Sequence, residues 1–338
     1  MGGTIINTPL VSIIILNYNG RQHIEHCLDS VQKILYPNLE TIVVDNASVD
    51  GSPELIQQKY SFVCLIKNSK NIGFSAGNNV GISKAKGNYI FLLNPDTEVH
   101  PICVKRLVEV MERNKNIGVC GAKILLFDRR EVIQHAGGKY HPIGIAIDRG
   151  VLEIDLGQYD KVEEVTFVCG AAMLFRKELV SKVGMLDPNF FLYHEDVDFC
   201  IRTWLNGFKV VYVPDAVVYH KSGYLTELAK HVRRSSVVFH TNKNTLIILL
   251  KNFSAFMRLT WLPISLLYKM LWILWFLFNH DAHNALAVIK SITWIMKNTD
   301  LIKVKRKKTA RKLKMPLAGI RDVWQLYRKL SSLYRGKQ

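Results

Sequence analysis

The residues of this 338-residue chain best equipped for chemistry are a few acids and amides at the ends of apolar runs. The stretch "YIFLLNPDTEV", residues 89–99, begins as a buried strand and stops at Asn94-Pro95-Asp96, where Pro95 forbids further ladder pairing and Asp96 is left as an uncompensated carboxylate. A second cluster, "HEDVDFCIR", holds Glu195, Asp196 and Asp198. On a helix, Glu195, Asp198 and Phe199 share one face while Asp196 projects elsewhere, so the three acids need not act together. The alternative for Glu195 and Asp198 is plain helix N-terminal acidity, which the macrodipole favours; Arg202 is placed to pair with them. Asp45 stands where a carboxylate could contact a ribose or base, or where an Asx turn could cap the helix near Ser52. His220 closes "VVYHKSG", a place where a lone histidine is commonly structural.

These residues need a scaffold, and the chain predicts one. Four β-branched apolar runs, at 11–16, 41–44, 62–66 and 89–93, are continuous rather than alternating, the pattern of strands buried on both faces. Helical spacing separates the first two, Ser52-Pro53 opens a second helix, and residues 79–85 offer a short third one. Strand and helix in alternation predict an α/β, Rossmann-like, mostly parallel sheet with right-handed crossovers. Such sheets bind ligands beyond the carboxyl ends of their strands. Those ends read Asn17-Tyr18-Asn19, Asp45-Asn46-Ala47-Ser48, 68–71 and Asn94-Pro95-Asp96. The first turn has a single glycine, Gly20, so a GxGxxG dinucleotide site is excluded. Further on, a helix is expected near 102–113, a strand at 118–125, strand into helix in "EVTFVCGAAMLFRKEL", and a strand pair in "GFKVVYVPDAVVYH".

Six blocks, "VSIIILNYNG", "TIVVDNASVDGS", "NIGFSAGNNVGI", "FLLNPDTEV", "CGAAMLFRKE" and "FLYHEDVDFCIR", taken in order over residues 9–222, resemble the family 2 nucleotide-sugar glycosyltransferases of GT-A fold. The "NPDTEV" form is similar to bacterial rhamnosyltransferases of cell-surface polysaccharide assembly. The resemblance implies an inverting transfer in which Asp96, last residue of a DxD-like motif, binds Mg2+ or Mn2+ bridging the donor diphosphate. Oxygen ligands from one or two carboxylates plus phosphates suit either ion. Asn94 replaces the first acid of that motif, so one carboxylate remains. The resemblance further assigns Asn17, Tyr18, Asn19, Asp45, Asn71, Gly73 and Asn78 to the donor nucleotide, with backbone turns as the alternative for the glycines. It makes Asp196 the general base, with Glu195 beside it, and places His220 near the metal or diphosphate. Gly170, Ala171, Ala172 and Asp198 fall on the acceptor side, where close packing is the alternative for the three small residues. The implied donor is a nucleoside diphosphate sugar, dTDP-rhamnose before a UDP-sugar, and the implied acceptor a saccharide or polyprenyl-linked saccharide. Two other readings stay open: an inactive membrane-anchored scaffold, which intact Asp45, Asp96 and Asp196 disfavour, and a nucleotidyltransferase, whose glycine- and arginine-rich first loop is missing.

Charge divides the chain. Residues 1–220 carry 22 Lys and Arg against 24 Asp and Glu, whereas residues 221–338 carry 23 against 4. The basic third is also apolar, at 246–250, 259–278 and 285–296, so its expected partner is an anionic membrane surface and not nucleic acid. Pro263 and Lys269 interrupt the longest run, which favours a helix lying in the interface, with Trp261, Trp272, Trp275 and Trp294 as interfacial residues and "KVKRKKTARKLK" supplying charge. The expected division is a catalytic domain at 9–240 and a helical membrane-associating tail at 241–338. Six scattered cysteines read as buried thiols of a reducing compartment, and no signal peptide is legible before "VSIIIL". The expected location is therefore the cytoplasmic face of the membrane, peripheral or monotopic.

Overall fold

The computed structural model describes residues 8–221, 234–305, 315–319 and 321–323. Its strands are β1 (Val11–Asn17), β2 (Leu39–Asp45), β3 (Val63–Lys67), β4 (Tyr89–Leu93), β5 (Thr97–Val99), β6 (Ile117–Leu126), β7 (Ile133–His135), β8 (Gly138–His141), β9 (Ile145–Asp148), β10 (Glu163–Glu164), β11 (Ala172–Arg176) and β12 (Lys209–His220). The main sheet runs β10-β12-β6-β11-β4-β1-β2-β3, with β5 paired to β12 and β7 to β6; β8 and β9 form a separate hairpin. Pairing is parallel from β4 through β1 and β2 to β3 and between β6 and β12, whereas β11 is antiparallel to both β4 and β6. The mostly parallel α/β sheet is therefore as expected.

The crossover helices are α1 (Arg21–Gln32), α2 (Ser52–Lys59), α3 (Phe74–Lys84) and α4 (Cys103–Arg113), followed by α5 (Leu179–Val183) and α6 (Glu195–Leu205). Helix α3 starts five residues before the expected point. Its glycines lower helix propensity, but a Cβ at Gly77 would lie 2.4 Å from Leu16 Cδ1 and one at Gly81 2.5 Å from Ile14 Cγ2, so they let the helix lie directly on the sheet. β3 is an edge strand with partly exposed residues, so the two-face burial expected of it fails, and Cys64 on it is exposed. The expected strand pair at 207–220 is one strand, β12, whose register shifts between Val213 and Val217.

The first tail helix, Ser235–Asn252, buries Leu246, Ile247, Ile248 and Leu249 in the same core as β1, β4 and β11. The division expected at 240/241 falls inside this helix. A second helix, Ala255–Phe278, is long and apolar enough to cross a membrane by length and composition. Lys269 does not interrupt its outer face: it is 2% exposed and points inward, donating to Asn242 Oδ1 and Thr245 Oγ1 at 3.0 Å each. Leu259, Leu267, Leu271, Leu274 and Phe278 are exposed along the outside. Trp275 is exposed as expected, but Trp261, Trp272 and Trp294 are only partly exposed and pack within the protein, Trp261 against His141 and Trp294 under Lys243. A third helix, Ala282–Lys297, packs on both. Most of the basic run, residues 306–314, lies outside the described residues.

Candidate active site

The carboxyl ends of β1, β2 and β4 converge as the sheet requires. Asn17 ends β1 fully buried, and its Nδ2 donates to Asp45 Oδ1 (2.9 Å), Ser48 Oγ (3.1 Å) and Ser52 Oγ (2.8 Å). Asp45 also accepts from the Ser48 N–H and hydroxyl, at 3.0 and 2.6 Å, so its carboxylate closes the turn before α2. Asn19, at φ 51°, clips the first two loops together: its N–H donates to Ser48 Oγ and its Oδ1 accepts from the Val49 N–H, both at 2.9 Å. Tyr18 between them is half exposed, free to stack on a base.

Asn46, given no role from sequence, links the third loop, with Nδ2 donating to Asn71 Oδ1 and the Gly73 carbonyl and Oδ1 accepting from Asn68. Gly73 has φ 85°, and a Cβ there would lie 2.5 Å from the Phe191 ring, so this turn requires glycine twice over. Asn78 is buried and gives its amide to the Phe74 carbonyl, bracing α3 rather than offering itself to a nucleotide.

At the end of β4, Asp96 Oδ1 lies 3.0 Å from His220 Nε2, and Asn94 Nδ2 is 3.5 Å from the same nitrogen. His220 Nδ1 faces Gln134 Oε1 at 3.1 Å; an amide oxygen only accepts, so Nδ1 carries the proton. Asp96 Oδ1 also only accepts, so the 3.0 Å contact needs a proton on Nε2 as well, and a cation would take that proton's place between a carboxylate and an imidazole oriented by a polar neighbour. Burial works against ionisation of Asp96, but the charge and hydrogen bond of His220 hold its carboxyl below the ordinary range. Among the described residues no group of three or more His, Cys, Asp or Glu could hold a metal. The Asp96–His220 pair fits a cation that takes its other ligands from diphosphate and water.

The second cluster sits at the start of α6. Asp196 Oδ2 accepts from the Gly170 N–H (2.8 Å) and Oδ1 from the Val197 N–H (2.8 Å), and the residue is partly exposed. Glu195 is buried, with Oε2 lacking any partner. Burial, then the neighbouring Asp196 charge, pushes Glu195 well up; burial raises Asp196 too, opposed by its two N–H donors. The satisfied carboxylate is the one that ionises, leaving Glu195 protonated beside it.

The turn between Asp196 and Asp96 ties the clusters together. Gly170 donates to Asp196, while the Ala171 carbonyl accepts from the Asn94 N–H at 3.1 Å and Ala172 pairs with Leu93. One turn thus touches both the helix that carries the base candidate and the strand that delivers Asp96. Ala171 and Ala172 are 3% and 0% exposed, so they serve close packing and leave no room for a sugar, contrary to expectation.

Asp198 is likewise not on the acceptor side. It is fully buried, paired with Arg202 (2.8 Å) and Lys251 (2.7 Å), and accepts from Asn252 Nδ2. Despite burial, the charges of Lys251 and Arg202 hold it down to about 2. Gln134, Asn244 and Lys251 were not singled out from sequence; Lys251, directly after the apolar run 246–250, carried a legible signal, whereas Asn244 sits among polar neighbours.

The glycosyl transferase family 2 profile matches residues 12–184. An N-acetylglucosaminyl-diphospho-decaprenol L-rhamnosyltransferase of Mycobacterium tuberculosis (strain H37Rv) is 24% identical over 274 residues, covering 70% of this chain and 86% of that protein. The low-salt glycan biosynthesis hexosyltransferase Agl10 of Haloferax volcanii is 27% identical over 57% of this chain and 61% of its own. Among solved structures, the mannosyltransferase PcManGT from Pyrobaculum calidifontis in complex with GDP-Man and Mn2+ superposes with TM-score 0.54 at 16% identity, over 96% of this chain and 81% of that one. GalNAc-T7 with UDP, GalNAc and Mn2+ gives TM-score 0.57 at 19% identity, over 72% of this chain and about half, 48%, of that one. With the profile spanning half of its length, the fold matching GT-A glycosyltransferases and the six blocks in order, this chain belongs to glycosyl transferase family 2.

Proposed function

We propose that this glycosyltransferase moves a sugar, rhamnose in the first instance, from a nucleoside diphosphate donor to a hydroxyl of a saccharide or polyprenyl-linked saccharide, with inversion. The observation that carries this reading is the shared turn: the Gly170 N–H donates to Asp196 and the Ala171 carbonyl accepts from the Asn94 N–H, so one turn links the base candidate to the strand end that carries Asp96. Asp196 takes the proton from the acceptor oxygen as it attacks the anomeric carbon, and the bond to the diphosphate breaks on the opposite face of the sugar. Asp96 and His220 would hold Mg2+ or Mn2+, which neutralises charge developing on the leaving diphosphate. Asn17 and Asn19 fix the loops around Asp45, Tyr18 stacks on the base, and the Asn71–Gly73 turn closes over the nucleotide. The Mycobacterium relative is an L-rhamnosyltransferase of N-acetylglucosaminyl-diphospho-decaprenol, which supports rhamnose as the sugar moved and a lipid-linked acceptor.

Thermal-shift titration with dTDP-rhamnose, UDP-glucose and GDP-mannose, each with Mn2+, tests donor class. A shift with a nucleotide sugar that vanishes with EDTA is expected, and Asp96→Ala should weaken donor binding at least about tenfold, since one of two protein ligands is lost. Binding unchanged in Asp96→Ala would remove the metal site from Asp96.

The catalytic unit in this reading runs from residue 9 to the end of the first tail helix, and the membrane-associating part begins at Ala255. The outer face of Ala255–Phe278 rests in the cytoplasmic leaflet interface, beside the lipid-linked acceptor. Leu267→Asp with Leu274→Asp should cut cosedimentation with vesicles of phosphatidylglycerol and phosphatidylethanolamine by about tenfold or more, an aspartate in an apolar helix being strongly unfavourable. Unchanged cosedimentation would place the contact elsewhere.

A further inference from the structure

The backbone leading into Asp196 takes an unusual path. Phe191, Tyr193 and His194 have φ of 60°, 69° and 64°, three non-glycine residues in the left-handed region within four positions. Such a path persists only where the surroundings over-determine it. Phe191 is held by the Phe74 N–H on its carbonyl at 2.6 Å and by its ring stacked on His240, and the rest of the turn is gathered by one side chain of the first tail helix. Asn244, 0% exposed, brings Nδ2 to 3.1, 2.9 and 2.7 Å from the carbonyls of Phe190, Leu192 and Tyr193. Two hydrogens thus serve three acceptors, and the Phe190 carbonyl also takes the Leu192 N–H at 2.7 Å.

Neighbouring residues of the same helix grip both ends of the segment. Lys243 Nζ donates to the Asn189 carbonyl at 2.7 Å, while Lys251 pairs with Asp187 and Asp198, and Asn252 donates to Asp198. The same helix also receives the second tail helix, since Asn242 and Thr245 accept from Lys269. It therefore lies between the helix with the apolar outer face and the loop that carries Asp196.

We infer that Asn244 is a positioning residue for the transfer reaction: its amide holds the 190–193 backbone in the bent path that aims Asp196 at the acceptor, and couples that aim to the seating of the tail helices. The inference rests on Asp196 being the base. Without the amide, the three carbonyls lose the one donor they share, the segment relaxes toward ordinary backbone angles, and the first turn of α6 moves with it. A displacement of about 1 Å at a catalytic group can lower turnover by roughly 100-fold.

The test uses full-length protein in mixed vesicles and compares the parent, Asn244→Ala and Asn242→Ala, the last on the same helix as Asn244 and losing a contact to Lys269 of the second tail helix but none to the loop. Hydrogen–deuterium exchange over residues 189–198 should rise in Asn244→Ala alone. With the donor that the parent turns over, dTDP-rhamnose first, kcat should fall about 100-fold in Asn244→Ala while donor KM stays within about twofold. The acid limb of kcat should also move to lower pH. Asp196 is faced by Glu195 on its own helix, by His135 of β7 and Asp148 of β9 and by Cys169 on the adjoining turn, and a loosened segment admits water to that set. Should Asn244→Ala not purify folded, Asn244→Ser, which keeps one donor, is measured in the same way. Unchanged exchange over 189–198 overturns the inference, as does a kcat loss with an unmoved pH limb or one matched by Asn242→Ala. Failure of the underlying reading looks different: the exchange result stands while Asp196→Asn transfers sugar normally.

Discussion

Asp196→Asn is expected to lower sugar transfer by roughly 10²- to 10⁴-fold, the usual contribution of a positioned general base. Donor binding with Mn2+ should be unchanged, because Asp196 touches the Gly170 and Val197 N–H groups and no residue of the donor loops. The substitution is nearly isosteric and keeps an acceptor oxygen for the Gly170 N–H, so the loss is chemical and not one of folding. Glu195 cannot take over the role: burial and the adjacent charge keep it protonated, and its Oε2 is sealed from solvent and partners. Circular dichroism and the Mn2+-dependent thermal shift of the variant should therefore match the parent while product formation does not. Full activity in Asp196→Asn would end the assignment.

Lys251→Met is expected to have the largest effect on stability. Lys251 Nζ is 2.9 Å from Asp187 Oδ2 and 2.7 Å from Asp198 Oδ1, and all three side chains are at least nine-tenths buried. Breaking a buried ion pair by removing one partner leaves uncompensated charge and costs about 3–5 kcal/mol. A melting temperature lower by on the order of 10 °C follows for a domain of this size. The pH dependence has a definite sign. The folded carboxyl of Asp198, held at about 2, lies below the unfolded value of about 3.9. Its contribution is fully present above pH ~4 and is lost as pH falls toward 2. Removing Lys251, the larger of its two charge partners, should flatten that acid limb in urea titrations run between pH 5 and 2. An unaltered melting temperature in Lys251→Met would mean that water or Arg202 already satisfies Asp198.

The order of strands and the polar strand ends were legible because continuous apolar runs and strand-terminal amides are local features. So was the gathering of those ends, Asn94-Pro95-Asp96 among them, along one edge of the sheet, which follows from any parallel sheet of this kind. What sequence could not supply was the partner of each acid. Asp198 reads as an acceptor-side carboxylate until Lys251 and Asn252, more than fifty positions away, are seen against it. Ala172 belongs to the resembling turn by position, yet it sits inside a strand pairing with Leu93, and only the pairing reveals the packing role. Lys269 looked like a break in an apolar helix because a linear run does not say which way one side chain turns. Gln134, which orients the ring of His220, lies in a three-residue strand too short for periodicity to register.

The measurement that bears most directly on the central claim is the anomeric configuration of the product, followed by proton NMR with the parent enzyme and with Asp196→Asn. A single base at Asp196, opposite a diphosphate held at Asp96 and His220, predicts an inverted linkage from the parent and almost none from the variant. A retained configuration, or an inverted product forming at the parental rate in Asp196→Asn, would contradict it.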